Sequence, residues 1–83
     1  MDDRPTTLWT LRRDADEIAC QVRLAAHGIE VDLLRGGTVV LTRVFATDEE
    51  ALGWARDKQQ LRESQGWRLV PPAAADSDQR PVA

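Results

Sequence analysis

The sequence predicts an α+β fold: a four-stranded antiparallel β-meander with one C-terminal α-helix packed across one face, in the order ββββα. Three observations lead there. Between Thr7 and Phe45 nearly every second residue is apolar, the period of a half-buried strand. Three short links (Asp14-Ala15-Asp16, Ala25-Ala26-His27-Gly28 and Arg35-Gly36-Gly37) cut that stretch into four segments. Links this short join only antiparallel neighbours, because a parallel return needs a crossover of about a dozen residues or more. After Phe45 the apolar period becomes that of a helix.

The first strand is expected over residues 7–13, where Trp9 and Leu11 share a face. In residues 17–25, Ile18, Cys20, Val22 and Leu24 oppose Glu17, Ala19, Gln21 and Arg23. In residues 29–34, Ile29, Val31 and Leu33 oppose Glu30, Asp32 and Leu34. In residues 38–45, Val39, Leu41 and Phe45 oppose Val40, Thr42 and Val44. Register follows from keeping one face apolar, since a one-residue slip moves every side chain to the other face. Leu11 then meets Ile18 and Trp9 meets Cys20. In the next hairpin Leu24 meets Ile29, Val22 meets Val31 and Cys20 meets Leu33. The reverse face supplies an independent check, because the same registers set Arg12 against Glu17 and Arg23 against Glu30, both opposite-charge pairs.

The third hairpin offers two loops. A two-residue Gly36-Gly37 loop sets Leu33 opposite Val40 and mixes the faces. A three-residue loop, Arg35-Gly36-Gly37, pairs Leu33 with Val39 and Val31 with Leu41, and Gly37 is free to take the left-handed conformation its third position needs. The three-residue loop is the expectation. It leaves Arg43 on the inner face opposite Ile29, either snorkelling at the sheet margin or turned outward by a bulge near residues 42–44.

Thr47 and Glu50 have the spacing of a capping box, and Asp48, Glu49 and Glu50 sit at the positive end of the helix dipole. Ala51, Leu52, Ala55 and Leu61 make the expected inward stripe, flanked by Trp54. Gly66 fits the position just past the helix end, with Trp67 packing back near Leu61 in a Schellman ending. Residues 68–70 read as a short extended segment, stopped by Pro71 and suited to docking at a sheet edge. With 83 residues the chain is one small domain over residues 6–70. Residues 1–5 are expected to fray. Residues 71–83, with three prolines and no apolar period, are expected to form a disordered tail.

The net charge of −3 misleads about the domain. Residues 4–70 carry ten basic side chains (Arg4, Arg12, Arg13, Arg23, Arg35, Arg43, Arg56, Lys58, Arg62 and Arg68) and ten acidic ones, so the acidic excess lies in the tails. A neutral domain argues against a strongly electrostatic nucleic-acid binder. The single cysteine, Cys20, excludes an internal disulfide and fits a reducing, cytoplasmic setting. No apolar run approaches the length of a membrane span, and no signal peptide is evident.

No motif carries chemistry, so neither enzyme activity nor a cofactor or metal is expected. His27 is the only histidine and sits in a turn, short of the three or four ligands a metal site needs. Cys20, placed between Trp9 and Leu33, reads as core rather than nucleophile. Ser64 and Ser77 lack a GxSxG context, and Gly36-Gly37 lacks the following Lys and helix of a phosphate loop. Asp48, Glu49 and Glu50 are explained by helix capping, and Glu30, beside Asp32, by its pairing with Arg23. The three tryptophans are expected in the core or at its margin.

What remains is the outer face of the sheet, which mixes aliphatics with charge. Leu8, Ala19, Leu34, Val40 and Val44 mark it as an expected interaction face, and the small size of the chain favours a homodimer or protein partner through this face or an edge strand. The alternative is weak binding of single-stranded nucleic acid by Arg12, Arg23 and Arg43 on the same face.

The segments Trp9–Arg13 (Trp-Thr-Leu-Arg-Arg), Gly28–Val31 (Gly-Ile-Glu-Val), Phe45–Ala51 (Phe-x-Thr-x-Glu-Glu-Ala) and Gly66-Trp67 together resemble a family of small uncharacterised bacterial proteins. The resemblance covers most of the expected domain and implies the ββββα fold without implying an activity. In topology alone the order is also similar to one repeat of the Whirly and Pur-type single-strand nucleic-acid binders, whose motifs are not matched here.

Overall fold

The computed structural model describes residues 5–71 of the chain. Residues 1–4 and 72–83, and with them most of the expected frayed start and tail, lie outside the described residues. The elements are β1 (Thr6–Arg13), β2 (Asp16–Ala25), β3 (Gly28–Arg35), β4 (Thr38–Phe45), α1 (Asp48–Ser64) and β5 (Arg68–Leu69). The sheet order is β4-β3-β2-β1-β5, an antiparallel meander extended by a short fifth strand. The expected α+β fold is therefore present, and the docked edge segment after the helix is β5.

The first two hairpins carry the expected registers. Leu11 lies opposite Ile18, Trp9 opposite Cys20 and Arg12 opposite Glu17. Val22 lies opposite Val31, Cys20 opposite Leu33 and Arg23 opposite Glu30. Both loops hold two residues, so Asp16 opens β2 rather than closing a three-residue link. A bulge between Thr7 and Trp9 leaves Leu8 without a partner on β2. It corrects one placement: Leu8 packs against the buried core instead of the outer face. Gly28, at φ 147°, has no room for a side chain, because a Cβ there would meet the Phe45 carbonyl oxygen at 2.5 Å.

The third hairpin differs from expectation. Arg35 pairs with Thr38 across a two-residue Gly36-Gly37 turn, with φ of 59° and 85°, and Leu34 pairs with Val39. Two positive φ values match the twist-compatible hairpin turn that glycine makes cheaply. A bulge between Leu33 and Leu34 leaves Val40 as the extra residue and sets Leu33 opposite Leu41. The bulge restores the inner face that a plain two-residue loop would have mixed. It lies nearer the turn than residues 42–44, and Arg43 falls opposite Val31, not Ile29. Its guanidinium lies 5.9 Å from the Phe45 ring centre and 5.8 Å from that of Trp54, so it stays on the helix side of the sheet.

Thr47 caps α1, its Oγ1 accepting the Glu50 N–H at 3.2 Å, with Asp48, Glu49 and Glu50 in the first turn. The helix ends in a Schellman motif: Trp67 N–H donates to Arg62 O, Gly66 N–H donates to Glu63 O, and Gly66 has φ 95°. Only Ala51 and Ala55 of the expected stripe are buried. Leu52 and Leu61 are exposed, and Trp67 packs into the core. The core joins Trp9, Leu11, Ile18, Cys20, Val31 and Leu33 on the sheet to the two alanines and Trp67. Trp54 packs on its margin against Phe45, with ring centres 5.8 Å apart.

Two indoles in this core differ in one respect. Trp9 Nε1 donates to the Ala55 carbonyl at 3.1 Å. Trp67 Nε1 is, among the described residues, the buried side-chain polar atom without a hydrogen-bond partner. Replacing either tryptophan by phenylalanine removes the same atoms. Trp9→Phe also loses a hydrogen bond of about 1 kcal/mol net, whereas Trp67→Phe also removes an unpaired donor whose burial costs about 1–3 kcal/mol. In urea denaturation Trp9→Phe should be the more destabilising by about 2 kcal/mol. Equal losses would show that pairing of the indole N–H makes no difference to stability here.

Cys20 is fully buried, and that burial, with the Asp32 carboxylate adding to it, pushes its thiol up from the ordinary 9.0 to about 12. The thiol ionises in the unfolded chain first, so between these values the unfolded state binds fewer protons and stability falls as pH rises. Between about pH 9 and the folded value the parent should lose stability relative to Cys20→Ala, at a slope approaching about 1.4 kcal/mol per pH unit. Parallel stability curves for the two proteins from pH 8 to 10.5 would sink this account.

Candidate interaction surfaces

The centre of the outer sheet face is a ladder of satisfied polar groups. Arg12 Nη2 lies 3.2 Å from Glu17 Oε2, and Arg23 Nε donates to Glu30 Oε1 at 2.6 Å. Thr42 Oγ1 donates to Asp32 Oδ1 at 2.6 Å, and Gln21 Nε2 reaches Thr7 Oγ1 at 3.5 Å. Ala19 and Leu34 lie directly opposite one another in this ladder and are half-buried. These pairs lie on the face that the pleat turns away from the core, with arginine against glutamate across β1–β2 and β2–β3 and aspartate against threonine across β3–β4. Both outer-face carboxylates considered for acid–base work thus already have partners.

Of the five expected interaction-face residues, the structure brings Val40 and Val44 together with two others on β4. Leu8 has joined the core, and Ala19 and Leu34 sit inside the polar ladder. The apolar exposure is concentrated on β4, where Val39, Val40, Leu41 and Val44 are each 41–61% exposed. Val39 and Leu41 were expected on the covered face. Leu41 is uncovered because α1 presents only two buried alanines to the sheet and β4 is its outermost strand, whereas Val39 pairs with Leu34 and so lies on the outer face. The signal that finds them in a sequence is composition: Thr-Val-Val-Leu-Thr-Arg-Val-Phe is β-branched and apolar, contains no proline and has one charge.

The three arginines of the nucleic-acid alternative do not converge. Arg12 and Arg23 share the outer face, each against its glutamate, while Arg43 lies across the sheet over Phe45 and Trp54. A different basic group forms instead at the β1–β5 edge. There Arg68 lies directly opposite Arg12, and Arg13 stands 4.9 Å over the Trp67 ring while Nη1 donates to Gln65 O at 3.0 Å. Arg68 carries no signal of this kind in the sequence, since only the pairing of β5 with β1 brings it beside Arg12.

The remaining candidates occupy structural positions. His27 is exposed in the β2–β3 turn, and Ser64 Oγ donates to the Leu61 carbonyl at 2.6 Å near the helix end. Among the described residues no group of three or more His, Cys, Asp or Glu side chains is placed to hold a metal ion. No helix among them is long and apolar enough to cross a membrane. Compared with protein-family models, with curated proteins and with solved structures, the chain matches none.

Proposed function

We propose that this protein is a small interaction module without catalytic chemistry, and that it self-associates by pairing the free edge of β4 with β4 of a second copy. The supporting observation is that β4 is an eight-residue edge strand carrying four exposed aliphatics. Natural edges are normally guarded by charge, proline, brevity or a cover. This one has a bulge at Val40 and a single charge, Arg43, whose guanidinium is folded back over Phe45 and Trp54. The backbone edge therefore lies open beside apolar side chains. A two-fold antiparallel pairing satisfies its donors and acceptors and covers the aliphatics of both copies at once. The outer sheet face is the weaker candidate for the same role, because its centre is occupied by ion pairs and hydrogen bonds.

Sedimentation equilibrium tests this reading. The parent should sediment at twice the 9.3 kDa chain mass, and Val40→Glu should return it to the monomer by setting like charges on the paired edges. Ala19→Glu, in the centre of the outer face, should leave the dimer intact. A monomeric parent at all concentrations, or a dimer broken by Ala19→Glu and not by Val40→Glu, would exclude the β4 edge.

A further inference from the structure

We infer that the second copy seats on β4 in a single register, with Arg43 opposite Arg43 at the two-fold, and that Phe45 and Trp54 permit this register by holding the guanidinium clear of the edge. The inference rests on the self-association reading above and adds which residues meet and what lets them meet. In an antiparallel ladder successive residues bond to one neighbour and then to the other. The two-residue Gly36-Gly37 turn is closed by Arg35 and Thr38, which therefore bond to each other. Gly36 N–H donates to Glu17 O at 3.0 Å. The even-numbered positions of β3 thus bond to β2 and the odd-numbered ones to β4. Arg43 and Phe45, opposite Val31 and Ile29, spend their backbone groups on β3. Thr42 and Val44 aim theirs at the free edge, and the bulge at Val40 breaks the alternation beyond them.

The two-fold registers that join outward residues to outward residues centre on Thr42, Arg43 or Val44. Centred on Thr42 or Val44, that residue meets itself, and its outward neighbour falls on the bulged Val40 or past the strand end at Ala46. Centred on Arg43, Thr42 meets Val44 on both sides of the two-fold, each pair exchanging both backbone bonds in regular strand. The same register sets Leu41 opposite Phe45 of the second copy, apolar against apolar. Its obstacle is Arg43 facing Arg43, since like charges directly opposite destabilise a sheet. The guanidinium, however, lies 5.9 Å from the Phe45 ring centre and 5.8 Å from that of Trp54, both within cation–π reach. Phe45 lies further along the strand, and the paired strands run in opposite directions, so the two guanidiniums are drawn apart. Val40 stands opposite Ala46, beside the acidic first turn of the second copy's helix, where a glutamate would meet like charge.

Disulfide trapping reads the register. Thr42, Arg43 and Val44 are exposed and Cys20 is buried, so a single introduced cysteine is the reactive thiol. In the register centred on Arg43, the two copies of that residue have Cα atoms about 4.5 Å apart, within disulfide reach. The copies of Thr42, and those of Val44, are about 8 Å apart, beyond it. Under oxidised glutathione Arg43→Cys should therefore cross-link about tenfold or more faster than Thr42→Cys or Val44→Cys. Sedimentation equilibrium reads the hold on the guanidinium. Trp54→Leu should weaken the dimer up to about fivefold, and Arg43→Thr added to it should restore the parent affinity. Three results overturn the inference while leaving β4 pairing in place: cross-linking no faster in Arg43→Cys than in the other two, a Trp54→Leu dimer as tight as the parent, or a defect that Arg43→Thr does not relieve. A monomeric parent overturns both.

Discussion

The close seating of α1 on the sheet governs the rest of this structure. The helix meets the strands through Ala51 and Ala55, both about 1% exposed, so its backbone lies near enough for the Trp9 indole to reach the Ala55 carbonyl at 3.1 Å. A leucine in place of either alanine would lift the helix and break that bond. The contact anchors a helix whose own apolar stripe is thin. It buries Leu11 and Val31 completely beneath it, each worth about 1.5–3 kcal/mol when removed from water. Two alanines cover little area, however. The same geometry that brings the helix close leaves Leu52, Leu61 and the aliphatics of β4 uncovered.

The C-terminal end of α1 converts this seating into a closed edge. Gly66 at φ 95° reverses the chain, Trp67 drops into the core, and the next two residues pair with β1. Without Trp67 as a weight on the inner face, β5 would hold to β1 through its few ladder bonds alone. The fold therefore treats its two sheet edges unequally. β1 is partly covered by β5 and lined with arginines, while β4 is bare and apolar.

The central strands were legible because two independent criteria agreed there. Burial demanded one face, and the pairs Arg12–Glu17 and Arg23–Glu30 fixed the same register from the other. The third hairpin was misread because the one-apolar-face rule was applied to an edge strand, where it is weak. Val39 and Leu41 point to opposite faces and both remain exposed, so burial did not discriminate between loops. Turn chemistry was the better guide, since Gly36-Gly37 suits a two-residue turn and a bulge absorbs the offset. Neither bulge leaves a mark in the pattern of apolar residues: Leu8 and Val40 look like ordinary alternating positions. The Arg12–Arg68 pair was hidden for a different reason, being made by a contact between residues more than fifty positions apart in the chain.

The strand order gives a physical reason to expect the two edges to act independently. Strands lie about 4.8 Å apart, so β4 and β5 are about 19 Å from one another across four spacings. That exceeds the Debye length of about 8 Å at physiological salt, so neutralising the arginines at β5 has little direct electrostatic effect at β4. Between them stands the most completely buried part of the molecule, Leu11, Cys20 and Val31. Coupling between distant sites needs an element with two arrangements that both sites bias, and a close-packed core disfavours one. Pairing through β4 would join two copies into one continuous ten-stranded sheet with β5 at each far end. A change of charge at either β5 edge would then leave the strength of the β4 contact unchanged.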